Sequence, residues 1–356
     1  MSRFLLSRFD ALSPYTPGEQ PRGVEHLIKL NTNELPYPPA PAVRAAITDQ
    51  TLCDLRLYPD PTGLSLKRVL SDLYGVGEKQ VYLANGSDDI LYFAFLAYCT
   101  SAKAVFCDVT YGFYRVFASL VGAESTVVPL KEDYTVDVDA LCRAEGTVFL
   151  ANPNAPTGIC LPLSDVERIV ASDRDRVVLV DEAYVDFGGE SALSLLSDYD
   201  NLLVVRTFSK SRAMAGARLG YAFASEAIIS DLERVRYSTN PYNINRLTLL
   251  LGEKTVENEA YYKTCTDRIV KTREKTREEL LKLGFFVTES RTNFLFASHP
   301  KAPAAELYRA LKEHGILVRY FADDLRCKNH LRISVGSEEQ MQLFCAMLAT
   351  ILKELI

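Results

Sequence analysis

Two stretches of sequence decide the fold: Val-Val-Leu-Val-Asp-Glu-Ala-Tyr at 177–184 and Leu-Leu-Val-Val-Arg-Thr-Phe-Ser-Lys at 202–210. Each begins with a run of apolar, mostly branched residues that does not alternate with polar ones. Such a run is typical of a parallel strand that helices cover on both faces. Each run then gives way to polar and charged residues, which places their side chains at the carboxyl edge of the sheet. Ligands bind at that edge in open parallel sheets.

The same pattern recurs through the middle of the chain and predicts an α/β domain with a doubly wound, mostly parallel sheet. Helical patterns at Ser87–Cys99 and Ser164–Ser172 lie between several of the runs. The predicted strands are Ala104–Cys107, Thr126–Val128, Thr147–Ala151, Val177–Val180, Leu202–Arg206 and Gly220–Ala224.

The pattern changes after about residue 245, where charged amphipathic helices alternate with fewer strands. Glu257–Leu283 is predicted to be a long amphipathic helix. Shorter helices are predicted at Ala304–His314 and Ser337–Leu355, and strands at Asn293–Ala297 and Leu331–Val335. This combination predicts a smaller α+β domain.

The first forty residues are rich in proline and predict an extended arm, because proline excludes a helix interior or a central strand. The prolines are Pro14, Pro17, Pro21, Pro36, Pro38 and Pro39. We therefore expect three parts: an arm at 1–40 that packs with the small domain, a large domain at 41–245 and a small domain at 246–356.

Length, composition and charge favour a soluble globular protein. The chain has 356 residues, which suggests about two domains at roughly 150 residues each. Hydrophobic residues make up 48% and the net charge is −6, so the totals do not favour binding to nucleic acid. The apolar run at the N-terminus is too short for a secretory signal, and no apolar stretch is long enough to span a membrane. We therefore expect a cytoplasmic protein.

Cysteine and histidine residues argue against disulfides, a metal site and a histidine-based triad. The eight cysteines form no Cys-x-x-Cys pair, so buried thiols in a reducing compartment are the simpler interpretation. The four histidines are far apart in the sequence: His26, His299, His314 and His330. A zinc site or a Ser-His-Asp triad is therefore not expected.

Asp181 and Lys210 are the first candidates for chemistry, because each follows a predicted buried strand. A buried carboxylate needs a partner, and two interpretations of Asp181 stay open: a helix N-cap, or a partner for a cationic ring nitrogen. Thr207, Ser209 and Arg218 surround Lys210, and arginine suits a phosphate through its bidentate fork. A lone lysine is normally solvated, but in a desolvated site it becomes a nucleophilic amine.

Two further loops follow or precede predicted elements. Asn-Gly-Ser-Asp-Asp at 85–89 precedes a helical run, with Ser87 as N-cap and Asp88 and Asp89 at the positive end of the helix dipole. A helix end with a glycine before it is also a ready phosphate site, and the two interpretations are compatible. Asn-Pro-Asn-Ala-Pro-Thr-Gly at 152–158 is either a plain turn or a rigid loop that presents polar side chains.

Together these segments resemble the fold-type I aminotransferases, which depend on pyridoxal phosphate (PLP). The resemblance runs from about Lys29 to Gly336, and the order and spacing of its motifs carry it: 85–88, 152–158, 181–184, 207–210 and 216–221. Within this superfamily the chain most resembles the histidinol-phosphate aminotransferases. That likeness rests on Leu-Asn-Thr-Asn-Glu at 30–34, Tyr-Pro-Asp at 58–60, Tyr-Gly at 111–112 and Leu-Arg-Ile-Ser-Val-Gly at 331–336.

The resemblance implies a role for each of these residues towards the cofactor. Lys210 would hold PLP covalently, Asp181 would pair with its pyridine nitrogen and Tyr184 would hydrogen-bond its phenolic oxygen. Tyr111 would stack on the ring. The cofactor phosphate would be held by Gly86, Ser87, Asp88, Ser209 and Arg218, with Thr207 nearby.

The resemblance also implies how substrate and a second subunit take part. Arg319 and Arg332 would bind the phosphate of the substrate, and Tyr15 and Asn33 would line its pocket. Tyr58 would reach the cofactor phosphate of the neighbouring subunit, which implies a homodimer with shared active sites.

Two positions depart from the family pattern. The family often has a second asparagine directly before Pro-Thr-Gly that contacts the phenolic oxygen of PLP, whereas this chain has Ala155. Either Asn154 takes over that contact or Tyr184 acts alone. The family also commonly has Asn-Glu-Asn-Pro where this chain has Leu35 in the third place, a change that bears on substrate contacts.

The implied reaction is PLP-dependent transamination of L-histidinol phosphate with 2-oxoglutarate, in histidine biosynthesis and without a metal. An aromatic or general amino-acid aminotransferase and a threonine-phosphate decarboxylase are alternatives on the same fold. A PLP-binding regulator of transcription is disfavoured, because the chain carries no basic DNA-binding segment. A nicotinamide-dependent oxidoreductase is disfavoured too, because no Gly-x-Gly-x-x-Gly follows a strand.

Overall fold

The structure is a computed structural model that describes residues 2–10, 12–21, 27–324 and 326–356. Residues 22–26 of the predicted arm, His26 among them, lie outside the described residues. In the described part the strands are β1 (Ile28–Leu30), β2 (Val81–Ala84), β3 (Ala104–Cys107), β4 (Ser125–Val128), β5 (Thr147–Ala151), β6 (Val178–Asp181), β7 (Leu202–Thr207), β8 (Gly220–Ala224), β9 (Phe286–Val287), β10 (Phe294–Ser298), β11 (Ile316–Tyr320) and β12 (Leu331–Ser334).

Helices surround these strands and several end close to their predicted limits. The α-helices are α1 (Pro41–Ala45), α2 (Asp49–Cys53), α3 (Leu64–Tyr74), α4 (Ser87–Tyr98), α5 (Phe113–Val121), α6 (Val138–Arg143), α7 (Leu163–Ala171), α8 (Glu226–Thr239), α9 (Arg246–Val256), α10 (Glu259–Lys282), α11 (Ala304–Glu313) and α12 (Glu338–Leu355). No helix in the described ranges combines the length and apolar character needed to cross a membrane.

The large sheet has the strand order β2-β8-β7-β6-β5-β3-β4. Its strands from β7 to β4 pair in parallel, which confirms the predicted α/β fold with a mostly parallel sheet. Strand β8 differs from the prediction, because it runs antiparallel to both β7 and β2. The connection at 208–219 contains only a single 3₁₀ turn and no α-helix, whereas a parallel crossover usually includes one.

Alternate residues of the central strands enter hydrophobic clusters on opposite faces of the large sheet. In β6, Val178 and Val180 belong to one cluster and Leu179 belongs to the other. All four residues of the strand are buried, Asp181 included. Helices cover both faces, which explains why the strand sequences do not alternate between apolar and polar residues.

A second sheet has the strand order β1-β11-β12-β10-β9, with α10, α11 and α12 packed around it. Strand β1 comes from the region predicted to be an arm, and it pairs in parallel with β11 at the edge of this sheet. Strands β11 and β12 are antiparallel and bring Arg319 directly opposite Arg332. The limits of the three predicted parts, at residues 40 and 245, stay predictions.

Candidate active site

A cavity of about 180 Å³ lies at the carboxyl ends of β5, β6 and β7, beside the N-terminus of α4. The chain crosses this edge several times, so side chains that are distant in sequence meet there. Of the residues expected to bind a cofactor, those in the cavity lining are Ser87, Asp88, Tyr111, Asp181, Tyr184, Thr207, Ser209, Lys210 and Arg218.

Asp181 is the last residue of β6 and is 6% exposed. Its carboxylate accepts hydrogen bonds from the Tyr114 hydroxyl at 3.0 Å and from the backbone N–H of Ala183 at 3.1 Å. Burial raises its pKa to about 6, against the lowering effect of these two donors. The next helical turn begins only at Val185, so Asp181 is not a helix N-cap. A buried carboxylate that ionises near neutral pH favours a cationic partner in the cavity.

Tyr114 is a contact of this site that the sequence interpretation missed. It lies in α5, is fully buried and donates to the carboxylate that faces the cavity. The sequence contained a signal, because Tyr114 follows the candidate Tyr111 by three residues and such a spacing places two side chains on the same side of a helical turn. Tyr111 itself donates to Asp88 Oδ1 at 2.8 Å, which fixes its ring beside the cavity.

Lys210 lies in the turn that follows β7. Its Nζ donates to the backbone oxygen of Thr32 at 3.3 Å and lies 5.9 Å from the centre of the Tyr184 ring. Two local hydrogen bonds hold this turn. The backbone N–H of Ser209 donates to the Thr207 hydroxyl at 3.1 Å, and that hydroxyl donates to Ser209 Oγ at 3.0 Å. The lysine amine therefore lies inside the cavity and not in bulk solvent.

The N-terminus of α4 and Arg218 form the other end of the cavity. Gly86, and not the expected Ser87, occupies the N-cap position, with φ of +88°. A Cβ atom at Gly86 would lie 2.7 Å from Arg218 Nη2, and one at Gly220 would lie 2.4 Å from the backbone nitrogen of Ser87. The two glycines thus allow backbone N–H groups and a guanidinium to approach each other closely. Such an arrangement binds phosphate.

A buried ion pair supports the site from behind. Arg206 in β7 and Glu182 directly after β6 are 2.9 Å apart, with side chains 8% and 1% exposed. Arg206 also pairs with Asp186 at 3.4 Å, and Asp186 accepts from the Ser211 hydroxyl. These bonds join the segment that carries Asp181 to the segment that carries the lysine. Neither the pairing nor its burial was expected from the sequence.

Asn154 is not brought into the cavity lining. Its Nδ2 donates to the oxygens of Val109 and Thr157 at 3.0 Å each, and its Oδ1 accepts from Thr110 at 2.9 Å. The Asn154 amide therefore makes its hydrogen bonds within its own loop and to the loop at 109–110. Ala155 lies in the lining instead, and it brings no polar side chain.

Asn33 approaches the cavity from the N-terminal segment that follows β1. Its Nδ2 donates to the Tyr184 hydroxyl at 2.9 Å, and both residues are buried. Tyr15 lies farther out, where its ring stacks on Phe113 at 4.3 Å and lies 6.4 Å from that of Tyr111.

Arg319 and Arg332 face the same side of the small sheet, because they are directly opposite on antiparallel strands. Arg332 Nη2 donates to the oxygen of Asn31 at 2.9 Å, and its Nε has no hydrogen-bond partner among the described residues. Burial lowers the pKa of Arg332. Arg319 also borders a cavity of about 740 Å³ next to the arm. Two cations placed opposite each other favour a bound anion between them.

Tyr58 lies away from the cavity of its own chain. Its side chain is 76% exposed, and its ring stacks on that of Tyr242 at 4.5 Å. An aromatic side chain this exposed is available for contact with another molecule.

Comparison with known proteins agrees with this geometry. The family model described as Aminotransferase class I and II matches residues 25–348. The chain belongs to this family, and within it to the histidinol-phosphate aminotransferases. The family and enzyme class predicted from the sequence, a PLP-dependent aminotransferase, are thereby confirmed.

The similar proteins match over nearly their whole length. The chain is 44% identical to the histidinol-phosphate aminotransferase of Brachyspira hyodysenteriae, over 99% of this chain and 100% of that protein. It is 45% identical to that of Clostridium acetobutylicum, over 97% of each. The crystal structure of the Sinorhizobium meliloti enzyme in complex with pyridoxal-5'-phosphate superposes with a TM-score of 0.85 at 26% identity, covering 100% of both chains.

Proposed function

We propose that this chain uses PLP to transfer the amino group of L-histidinol phosphate to 2-oxoglutarate. The products are imidazole acetol phosphate and glutamate, and the step belongs to histidine biosynthesis. One observation carries the proposal: the segment after β1 connects the facing pair Arg319 and Arg332 to the cavity that holds Asp181 and Lys210. Arg332 and Lys210 donate to the backbone oxygens of consecutive residues, 31 and 32. The full-length histidinol-phosphate aminotransferases among its relatives support the same substrate.

The cavity residues fit PLP at both of its charged ends. When bound, PLP supplies an electron sink for charge that develops at the substrate Cα. Asp181 would pair with the ring nitrogen and keep it protonated, which would relieve the cost of the buried carboxylate. The N-terminus of α4, Ser209 and Arg218 would hold the phosphate. Tyr184 donates to the phenolic oxygen without help from Asn154, since the amide of that asparagine is used elsewhere.

Lys210 moves the proton in the chemical step. With PLP and substrate bound, the amine of Lys210 would act as the base that takes the proton from the substrate Cα and would carry that proton as the acid of the following step. The holoenzyme would take the amino group from the donor in one half-reaction and pass it to the 2-oxo acid in a second. Two half-reactions of this kind give ping-pong kinetics.

Arg319 and Arg332 bind the anionic end of both substrates. Their guanidinium forks match a phosphate monoester in one half-reaction and a carboxylate in the other. Asn33 and Tyr15 line the part of the pocket between the arginines and the ring. Leu35, which stands where the family commonly has an asparagine, is partly buried against the hydrophobic cluster around the small sheet.

We also propose a cytoplasmic homodimer with shared active sites. In it, the hydroxyl of the exposed Tyr58 would donate to the cofactor phosphate held by the second copy of the chain. The stacking of Tyr58 on Tyr242 supports this role, because it fixes an exposed hydroxyl on a rigid aromatic pair.

A panel of amino donors tests the substrate. Histidinol phosphate should be the preferred donor over phenylalanine and threonine phosphate, and turnover should require 2-oxoglutarate. Release of carbon dioxide from threonine phosphate without any oxo acid would instead identify a decarboxylase.

Arg332→Ala tests the anion site within the same panel. We expect kcat/KM for histidinol phosphate to fall by about 10- to 100-fold, because a hydrogen bond to a charged group contributes about 1.5–3 kcal/mol. Arg168→Ala, on the surface in α7, is the matched control and should leave the rate unchanged. An unaffected rate in Arg332→Ala would contradict the assignment of the phosphate site.

A further inference from the structure

A short series of hydrogen bonds links the small sheet to the cavity. Ser334, the last residue of β12, donates to Asn33 Oδ1 at 2.8 Å. Asn33 Nδ2 then donates to the Tyr184 hydroxyl at 2.9 Å. Ser334 and Asn33 are 2% and 1% exposed, so water does not compete for these bonds.

The bonds of Ser334 fix which way round the Asn33 amide lies. The backbone N–H of Asn33 donates to Ser334 Oγ at 2.8 Å, so the hydrogen of this serine points at the amide oxygen. If the Asn33 amide were turned round, its NH₂ group would face the Ser334 hydroxyl, whose hydrogen would then have no acceptor. Asn293 Nδ2 donates to the backbone oxygen of Asn33 at 2.9 Å, which helps to hold this residue at its φ of +57°. The amide nitrogen is therefore committed to Tyr184.

We propose that Ser334 and Asn33 are positioning residues that commit the Tyr184 hydroxyl to donate into the cavity. Because that oxygen accepts from Asn33, its own hydrogen is available for an anionic oxygen of a bound ligand. The inference rests on the proposed function, in which this ligand atom is the phenolic oxygen of PLP held by Lys210. A donor at that oxygen stabilises its ionised form and so lowers the pKa of the lysine-bound cofactor.

The same strand carries the arginine proposed to bind the substrate anion. Arg332 and Ser334 are two residues apart in β12, so they lie on one face of the sheet. Arg332 donates to the backbone oxygen of Asn31, and Ser334 donates to Asn33 Oδ1. The segment after β1 is therefore bound to β12 at two points. An anion at Arg332 therefore stabilises the strand that sets the direction of the Tyr184 hydroxyl.

Absorbance titration of the holoenzyme without substrate tests the proposal. Tyr184→Phe should raise the pKa of the lysine-bound cofactor by about one unit, the equivalent of one hydrogen bond to a charged group. Ser334→Ala should also raise this pKa, but by less than Tyr184→Phe does. In the Tyr184→Phe background, Ser334→Ala should add no further shift, because the hydroxyl that it directs is gone.

Thr276→Val is the matched control. Thr276 is 3% exposed in α10 and donates only to the backbone of Thr272, so its loss removes one buried hydroxyl of the small domain without touching Asn33. It should leave the cofactor pKa unchanged. Should Ser334→Ala fail to fold, Ser334→Cys keeps the volume with a weaker donor and should raise the pKa as well.

The outcomes separate the inference from the proposed function. Wild-type protein that shows no visible cofactor band after PLP is added would overturn both. If the wild type shows the band, and the cofactor pKa rises in Tyr184→Phe but in neither Ser334 variant, the inference is overturned and the proposed function stands. A Ser334→Ala shift that persists undiminished in the Tyr184→Phe background overturns it as well.

Discussion

Asp181 carries an unfavourable charge in the absence of a ligand. Burial raises its pKa from 3.8 to about 6, a difference that corresponds to about 3 kcal/mol. This cost is absent below pH 3.8, grows as the pH rises and is complete above about pH 6, because the folded state holds its proton more tightly than the unfolded chain. A cation beside the carboxylate removes the cost, so PLP binding should stabilise the protein most above pH 6.

Tyr114→Phe removes one of the two donors that hold the pKa of Asp181 down. We expect the pKa of Asp181 to rise by about one unit, since a hydrogen bond to a charged group contributes about 1.5 kcal/mol. In the proposed mechanism the carboxylate must be ionised, so the acidic limb of the pH profile of kcat/KM should move to higher pH.

Tyr82→Phe is the control for Tyr114→Phe. Tyr82 is fully buried in β2 and donates only to the backbone of Leu232 at 3.4 Å. Its loss should leave the pH profile in place. An acidic limb that does not move in Tyr114→Phe, in protein that still binds PLP, would show that Tyr114 does not influence Asp181.

Side chains at strand ends were predictable from the sequence, whereas contacts made across the fold were not. The positions of Asp181 and Lys210 follow from where two apolar runs end. The direction of the Asn154 amide depends on Thr110 and Val109, which the chain brings near only after folding. The pairing of Arg206 with Glu182 depends likewise on two strands lying side by side.

The N-terminus of α4 and the start of β8 are packed against each other without room for a side chain. Gly220→Ala should therefore push the two elements apart, because the added carbon would lie 2.4 Å from the backbone nitrogen of Ser87. The N–H groups proposed to hold the cofactor phosphate would move with the helix. We expect the Kd for PLP to rise by at least about tenfold, which is about 1.4 kcal/mol.

Gly216→Ala provides a control only four positions away. A Cβ atom there would meet no heavy atom within 4 Å, and the backbone has no positive φ. PLP affinity measured by titration should be unchanged in this variant. Equal affinities for wild type and Gly220→Ala would show that the close packing does not form the phosphate site.

The direction of β8 shows where strand prediction failed. Its sequence, Gly-Tyr-Ala-Phe-Ala, is as continuously apolar as the parallel strands, so composition alone does not distinguish its direction. The connection at 208–219 could have indicated the direction of β8, because it contains no α-helix of the kind that usually joins two parallel strands. β11 was also missed, although Gly315 precedes it and Arg319 lies within it.

The N-terminal segment joins the two sheets around the cavity. β1 lies at the edge of the small sheet, and the residues after it bond to both Lys210 and Arg332. The predicted arm thus contributes to the site, although its prolines indicated only an extended segment. Which strand it would pair with depends on long-range register, and three residues carry too little pattern to specify that.

Mixed dimers test the shared active sites. Tyr58→Ala and Lys210→Ala should each lose most activity as homodimers. When the two variants are mixed and allowed to exchange subunits, one site per mixed dimer regains both residues, so about a quarter of wild-type activity should return. A mixture that stays inactive, with exchange shown by differently tagged chains, would contradict the placement of Tyr58 in the neighbouring site.

The absorbance of the protein after incubation with PLP tests the central claim, that Lys210 holds the cofactor for transamination. Wild-type protein should show a visible band that histidinol phosphate alone removes in a single turnover, because the amino group passes to the cofactor. Lys210→Ala should lack this band, while Lys263→Ala, an exposed lysine of α10, should keep it. A wild-type protein without the band, or a Lys210→Ala protein that retains it, would contradict the account.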